Sequence, residues 1–189
     1  MTDKTSDPAR VDQKIRLSSP AGQPSEGENL PSCGDFDIRI ARDGTWFHQG
    51  SPIGRKALVK LFASVLRREA DGEYWLVTPA ERGRVIVDDA PFTALEVAAS
   101  GAESAQVLRF RTNVDDWVEA DREHPIRVRH APGSGEPSPY ILIRDGLEAL
   151  IARSVYYHLV ELAVERRDGA KRVLGVWSKG TFFPLGSPE

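Results

Sequence analysis

Tyr140-Ile-Leu-Ile-Arg-Asp-Gly-Leu-Glu-Ala-Leu-Ile151 is the stretch whose reading decides the fold. Two apolar runs flank Asp145-Gly146, a dipeptide that readily supplies the positive φ of a tight hairpin. The spacing beyond it predicts a helix over residues 153–166 and a second hairpin made of residues 173–177 and 181–185, turning at Ser178-Lys179-Gly180.

An earlier stretch repeats this order in weaker form. Phe36, Ile38 and Ile40 alternate with Asp37, Arg39 and Ala41, which is the pattern of a half-buried strand. Arg42-Asp43-Gly44 turns it and residues 45–48 return. Ser51-Pro52 reads as an N-cap hydroxyl followed by proline at the first helical position, and Leu58, Leu61, Phe62, Val65 and Leu66 form one helical stripe. Asp71-Gly72 is expected to end that helix, and residues 73–77 and 84–87 make the next hairpin. With Asp71-Gly72 placed on Asp168-Gly169, Leu58, Phe62, Val65 and Leu66 fall on Val155, Leu159, Leu162 and Ala163. The reading is an α+β fold with duplicated ββαββ units and antiparallel sheets; chance similarity between common hairpin–helix–hairpin units is the competing explanation.

Three segments follow: residues 1–34 as a disordered or peripheral tail, 35–90 as an N-terminal α+β repeat domain and 91–189 as a C-terminal α+β domain. The tail is rich in Ser, Pro, Gly and acidic residues, with residues 12–17 as a short helical turn that docks through Ile15 and Leu17. Net charge is −3 over 189 residues and splits as −1 in each of 1–34, 35–100 and 101–189, so no segment has the basic excess that a nucleic-acid polymer requires. Cys33 is the only cysteine, which excludes an intrachain disulfide and a thiolate zinc cluster; it reads as a bystander thiol. No apolar run approaches the roughly 20 residues of a membrane span, and a cytoplasmic setting is expected.

Between the repeats, residues 94–99, 107–112 and 126–130 read as strands, with 116–119 a fourth, and residues 131–139 read as a Pro/Gly loop. Arg109 and Arg111 share one face of their strand and Arg127 and Arg129 one face of theirs. Side by side, these strands would form a guanidinium surface, either for phosphate or carboxylate or neutralised by Asp115, Asp116, Glu119 and Asp121. Arg153 and Tyr157 open the second helix, either as an anion site or as ordinary packing. Trp46, Trp75 and Trp177 occupy hairpins and either stack on a base or fill core. No motif fixes a reaction: the nucleophile elbow, zinc-protease, Walker and dinucleotide signatures are absent, and His48, His124, His130 and His158 are too dispersed to argue a metal site.

Taken together, Phe110-Arg-Thr-Asn113, His124-Pro-Ile-Arg127, Arg144 with Gly146-Leu-Glu-Ala149, Arg153-Ser-Val-Tyr-Tyr157, Leu174-Gly-Val-Trp-Ser178 and Phe182-Phe-Pro-Leu-Gly186 carry a likeness. The chain resembles the bacterial domain-of-unknown-function family DUF1285 from about Phe36 to Gly186. The resemblance implies a duplicated α+β core, a C-terminal half loosely similar to pleckstrin-homology folds, and a cleft between the halves that takes a nucleotide-like ligand in signalling.

The functional expectation is a non-catalytic cytoplasmic sensor that binds a nucleotide-like anionic small molecule between the two domains, without metal or cofactor. Arg109, Asn113, Arg144 and Arg153 would hold phosphate, Trp46 or Tyr157 would stack on a base and His124 would meet the sugar. The alternative is a protein-interaction module whose arginine face meets an acidic partner. An enzyme would need a perturbed group such as Glu81, Asp88 or His124 beside the cleft.

Overall fold

A computed structural model describes residues 32–169 and 171–187. Nearly all of the tail, including residues 12–17, lies outside the described residues, although Ser32, Cys33 and Gly34 belong to the first strand. The fold is mostly β with two helices, in two domains built from largely antiparallel sheets.

The first sheet has six strands: β1 (Ser32–Ile40), β2 (Trp46–His48), β3 (Ser51–Pro52), β4 (Leu66–Arg68), β5 (Tyr74–Val77) and β6 (Arg82–Val87), with helix α1 (Lys56–Val65) between β3 and β4. Its order is β3-β2-β1-β6-β5-β4, and β1 with β6 is its one parallel pair. The second sheet contains β7 (Phe92–Ser100), β8 (Val107–Thr112), β9 (Trp117–Glu119), β10 (Ile126–His130), β11 (Pro137–Arg144) and β12 (Leu147–Ile151). Its order, β10-β11-β12-β7-β8-β9, again joins two antiparallel triplets through one parallel pair, β7 with β12. Helix α2 (Arg153–Glu161) then leads to a three-stranded sheet of β13 (Val164–Asp168), β14 (Lys171–Ser178) and β15 (Thr181–Gly186).

The two sequence stretches therefore keep the expected linear order of hairpin, helix and further strands, but enter sheets differently. In the first, the strands on both sides of α1 share one sheet; in the second, β11 and β12 lie in one sheet while β13, β14 and β15 form another. The sheets that match in topology are β1–β6 and β7–β12, offset from the register read in the sequence. In the second of these a loop replaces the helix, so the helical stripe used to align the repeat has no counterpart there.

Several local expectations are corrected. Ser51-Pro52 does not cap a helix: it is the edge strand β3, where Pro52 opposes Phe47 and the missing N–H of proline costs nothing. Helix α1 begins only at Lys56, with no side-chain cap, and ends at Val65, because Leu66 turns extended to pair with Leu76. Asp71-Gly72 is then the turn of the β4–β5 hairpin. Leu61, assigned to the buried stripe, is 60% exposed. The second helix stops at Glu161 instead of continuing to residue 166, since residues 164–168 pair with β14 and Arg166 lies over the rings of Trp177 and Phe182. The loop 131–139 is partly strand: Pro137 and Pro139 open β11 where it has β10 as a neighbour and pairing with β12 has not yet begun.

One continuous apolar cluster runs from Ile38, Ile40, Trp46 and Leu66 through Phe92, Phe110 and Ile141 to Leu159, Val176 and Phe183, spanning both domains and the last sheet. Burying each such side chain contributes roughly 1.5–3 kcal/mol. No helix among the described residues is long and apolar enough to cross a membrane.

Candidate functional site

Strand β11 and the turn that joins it to β12 lie against the first domain, through Tyr140 on Asp89, Arg144 on the Ala63 carbonyl and the Gly146 carbonyl under Arg68. Tyr140 is buried and donates its hydroxyl to Asp89 at 2.8 Å, and Asp89 also pairs with Arg42 at 3.3 Å. Arg42 reaches Ser138 Oγ at 3.2 Å. Glu148, only 8% exposed, receives Arg129, while Arg127 stands 4.0 Å from its other oxygen. On the first domain, Arg68 lies 5.6 Å over the ring of Tyr74 and bonds the Gly146 carbonyl at 3.4 Å, as Arg129 lies 4.4 Å over Tyr140.

Burial raises the phenol of Tyr74, opposed by Arg68 and Arg129 and reinforced by Glu148 and Asp89. Burial likewise raises Tyr140, helped by its bond to Asp89. Both phenols therefore stay protonated at neutral pH, and Tyr140 donates to Asp89. The seam holds four guanidiniums, Arg42, Arg68, Arg127 and Arg129, against the carboxylates of Asp89 and Glu148, a local surplus of positive charge. Arg68 has no carboxylate partner among the described residues, and Arg127 is at the limit of ion-pair distance.

Of the seven residues expected to bind ligand, two lie at the domain junction. Asn113 accepts from the Thr93 N–H at 3.1 Å and donates to the Gly44 carbonyl at 3.0 Å, tying the domains together. Arg144 donates to the Ala63 carbonyl at the end of α1 at 2.6 Å, pairs with Asp116 at 3.5 Å and covers Phe92. The other five are apart. Trp46 is 1% exposed and stacks on Phe62 in the core, so no base can reach it. Arg109 pairs with Glu119 and covers Trp117. His124 is held by Asp121, and Arg153 and Tyr157 bond each other at 2.8 Å on α2. The four-arginine face is not formed either, because β11, β12 and β7 separate β10 from β8. Arg111 is committed to Glu96 and Asp115.

Glu148, Asp89, Tyr74 and Arg68 were not found from sequence. A buried glutamate in an apolar strand, in Leu147-Glu148-Ala149, was the available signal, since burial of an ionised side chain calls for a cationic partner.

Away from the seam, two carboxylates sit well below the ordinary range. Lys56 and Lys60 from α1 both bond Asp115 at 2.8 Å and hold it far down, latching the helix to the second domain. Burial would raise Asp121, yet the backbone and ring of His124, the Lys179 ammonium and the Glu123 N–H bring it to about 2. A carboxyl more acidic in the folded chain contributes stability above its ordinary value near ~3.9, and this is lost as pH falls through the folded value. Between about pH 4 and 2 the wild type is expected to lose more stability than Asp121→Asn, read as urea unfolding free energy at pH 5 and at pH 3; parallel losses in both would show that Asp121 does not contribute.

Among the described residues, no group of three or more His, Cys, Asp or Glu side chains is placed to hold a metal ion. Residues 24–90 match the family model of the N-terminal domain of unknown function DUF1285, and residues 91–185 match that of the DUF1285 C-terminal domain. A crystal structure of a DUF1285 family protein from Silicibacter pomeroyi DSS-3 is similar with a TM-score of 0.77 and 48% identity, over 84% of each chain. One from Shewanella baltica OS155 is similar with a TM-score of 0.51 and 28% identity, over 66% of this chain and 90% of that one. No curated protein matches.

Proposed function

The chain belongs to the DUF1285 family, and from that premise we propose that it is a non-catalytic ligand-binding protein whose domain seam takes an anionic, ring-bearing small molecule of nucleotide-like chemistry. The observation that carries this reading is the pairing of guanidinium with phenol on both sides of the seam, Arg68 with Tyr74 and Arg129 with Tyr140, where cation outnumbers carboxylate. Arg68 and Arg127 are the donors with capacity to spare, and planar guanidinium forks suit phosphate oxygens. Half-buried Tyr74 is the phenol offered to the ligand, while Tyr140, with its hydroxyl on Asp89 and its ring under Arg129, holds that arginine in place. A sensing role in signalling, a cytoplasmic setting and a pleckstrin-homology-like character of the C-terminal half belong to the same reading.

The test is a thermal-unfolding panel of mono-, di- and cyclic nucleotides. A ligand at about a hundredfold its Kd adds roughly 2.7 kcal/mol, which for a chain of this size is a rise of about 5–10 °C in Tm. The rise is expected with at least one nucleotide and is expected to vanish in Arg68→Ala/Arg127→Ala. A flat panel, or a rise that survives the double substitution, overturns the proposal.

A further inference from the structure

The last sheet turns one face into the core and the other outward, and the outward face is apolar. Val176, Phe183 and Leu185 are buried in the common cluster. Side chains alternate along a strand, so the residues between them point the other way. The pairs Val164 with Gly175, Gly175 with Pro184 and Trp177 with Phe182 therefore put Val164, Trp177, Phe182 and Pro184 together on the outer face, with Val173 beside them. Val164 is 44% exposed, Pro184 is exposed and the two rings are half-buried. A Cβ on Gly175 would lie 2.6 Å from Phe182 Cζ, so the glycine is what lets this ring lie across the strand, edge-on to Trp177 at 5.3 Å. The outer faces of the other two sheets carry ion pairs instead, Arg39 with Asp88 and Arg84 with Asp35 on the first and Arg111 with Glu96 on the second.

Charge on this sheet runs against that of the rest of the chain. Residues 164–186 hold five lysines and arginines against two acidic residues, a surplus of +3 in a chain whose net charge is −3. Arg166 and Lys171 stand on the outer face, and Arg167 lies at the same end of the β13–β14 hairpin. Arg172, directly opposite Arg167, takes Glu165 at 3.6 Å. Arg166, Arg167 and Lys171 have no carboxylate partner among the described side chains. The Arg166 guanidinium lies over the rings of Trp177 and Phe182, at 5.6 and 5.3 Å from their centroids, so its stem covers apolar surface while its charge stays at the rim.

We infer that the outer face of β13, β14 and β15 docks on an anionic lipid surface, with Val164, Trp177 and Phe182 at the headgroup boundary and Arg166, Arg167 and Lys171 on lipid phosphates. Trp and Phe beside Arg and Lys is the composition of interfacial anchors, in which rings sit at headgroup depth and long cationic side chains reach phosphate. An acidic peptide would match the charge and leave the apolar face uncovered. This docking is peripheral, and it stands independently of the function proposed at the seam.

Co-sedimentation of the full chain with vesicles of phosphatidylcholine alone, and of phosphatidylcholine with about one-third phosphatidylglycerol, tests it. Binding to the mixed vesicles is expected to be at least about tenfold stronger than to the neutral ones and to weaken with added salt. Arg167→Glu/Lys171→Glu, at two exposed positions, is expected to bring binding down to the neutral-vesicle level. Val164→Ser is expected to weaken binding to the mixed vesicles about threefold while leaving its salt dependence unchanged, which reports the apolar contribution separately from the charge. Arg68→Ala/Arg127→Ala is expected to change none of these, which separates this face from the seam. Absence of binding to the mixed vesicles, equal binding to both compositions, undiminished binding by the folded double variant or by Val164→Ser, or loss of binding on the seam substitutions overturns the inference. Retention on immobilised polyglutamate without vesicle binding, abolished in Arg167→Glu/Lys171→Glu, would assign the face to an acidic protein and overturn it as well.

Discussion

Gly44→Ala is expected to destabilise the protein by about 3 kcal/mol, from two causes that add. Gly44 has φ +84°, a left-handed conformation that costs a residue bearing Cβ roughly 1–2 kcal/mol. Its Cβ would also lie 2.7 Å from both Asn113 Nδ2 and Thr93 Oγ1, contacts that real Cβ atoms do not make. Relieving them pulls Asn113 away from the Gly44 carbonyl and opens the bond that ties the domains. The control is Gly50→Ala. Gly50 has φ +76° but nothing within 4 Å of its would-be Cβ, so it carries the conformational cost alone. Urea unfolding of both variants isolates the contribution of the junction; equal losses would mean that the two domains are not tightly joined at Asn113.

Ser178→Ala is expected to cost about 2–3 kcal/mol, a large effect for removal of one oxygen. Ser178 is fully buried; its hydroxyl donates to the Ala120 carbonyl at 2.6 Å and accepts from the Leu108 N–H at 3.0 Å. Those bonds fasten the last sheet to β8 and to the end of β9. Without the hydroxyl, a donor and an acceptor are left unpaired in the interior, each costing on the order of 1–3 kcal/mol, partly recovered by relaxation. Ser64→Ala, at an exposed hydroxyl bonded to the Leu61 carbonyl at 2.7 Å, is the matched control and is expected to stay within about 0.5 kcal/mol. A Ser178→Ala protein as stable as this control would remove the fastening role.

The two serines carry the same local label in the chain, a hydroxyl beside a turn or a helix end. What separates their expected effects is that strand β14 brings Ser178 against Ala120 and Leu108, 58 and 70 residues away. The candidate site follows the same logic. Arg144 and Asn113 were expected from the sequence to hold phosphate, and both lie at the junction, where each donates to a backbone carbonyl of the other domain. Trp46 was open in the sequence to stacking on a base or filling core, and it fills core, because its hairpin packs under α1 and its ring stacks on Phe62. Arg127 and Arg129 were legible as a pair on one strand face; their shared partner Glu148 was not, since it is contributed from two strands away in the sheet.

Alternation of apolar and polar residues and the Asp-Gly turns determined, by themselves, where most strands lie, including residues 107–112, 126–130 and 147–151, because side-chain period and turn geometry are local properties. Strand order, the parallel pairs β1–β6 and β7–β12, the early ends of both helices and the gathering of arginine and tyrosine at the seam were decided only in the tertiary structure. The physical reason is that pairing across sheets satisfies backbone groups far apart in the chain, and neither periodicity nor propensity records which distant edge a strand will meet.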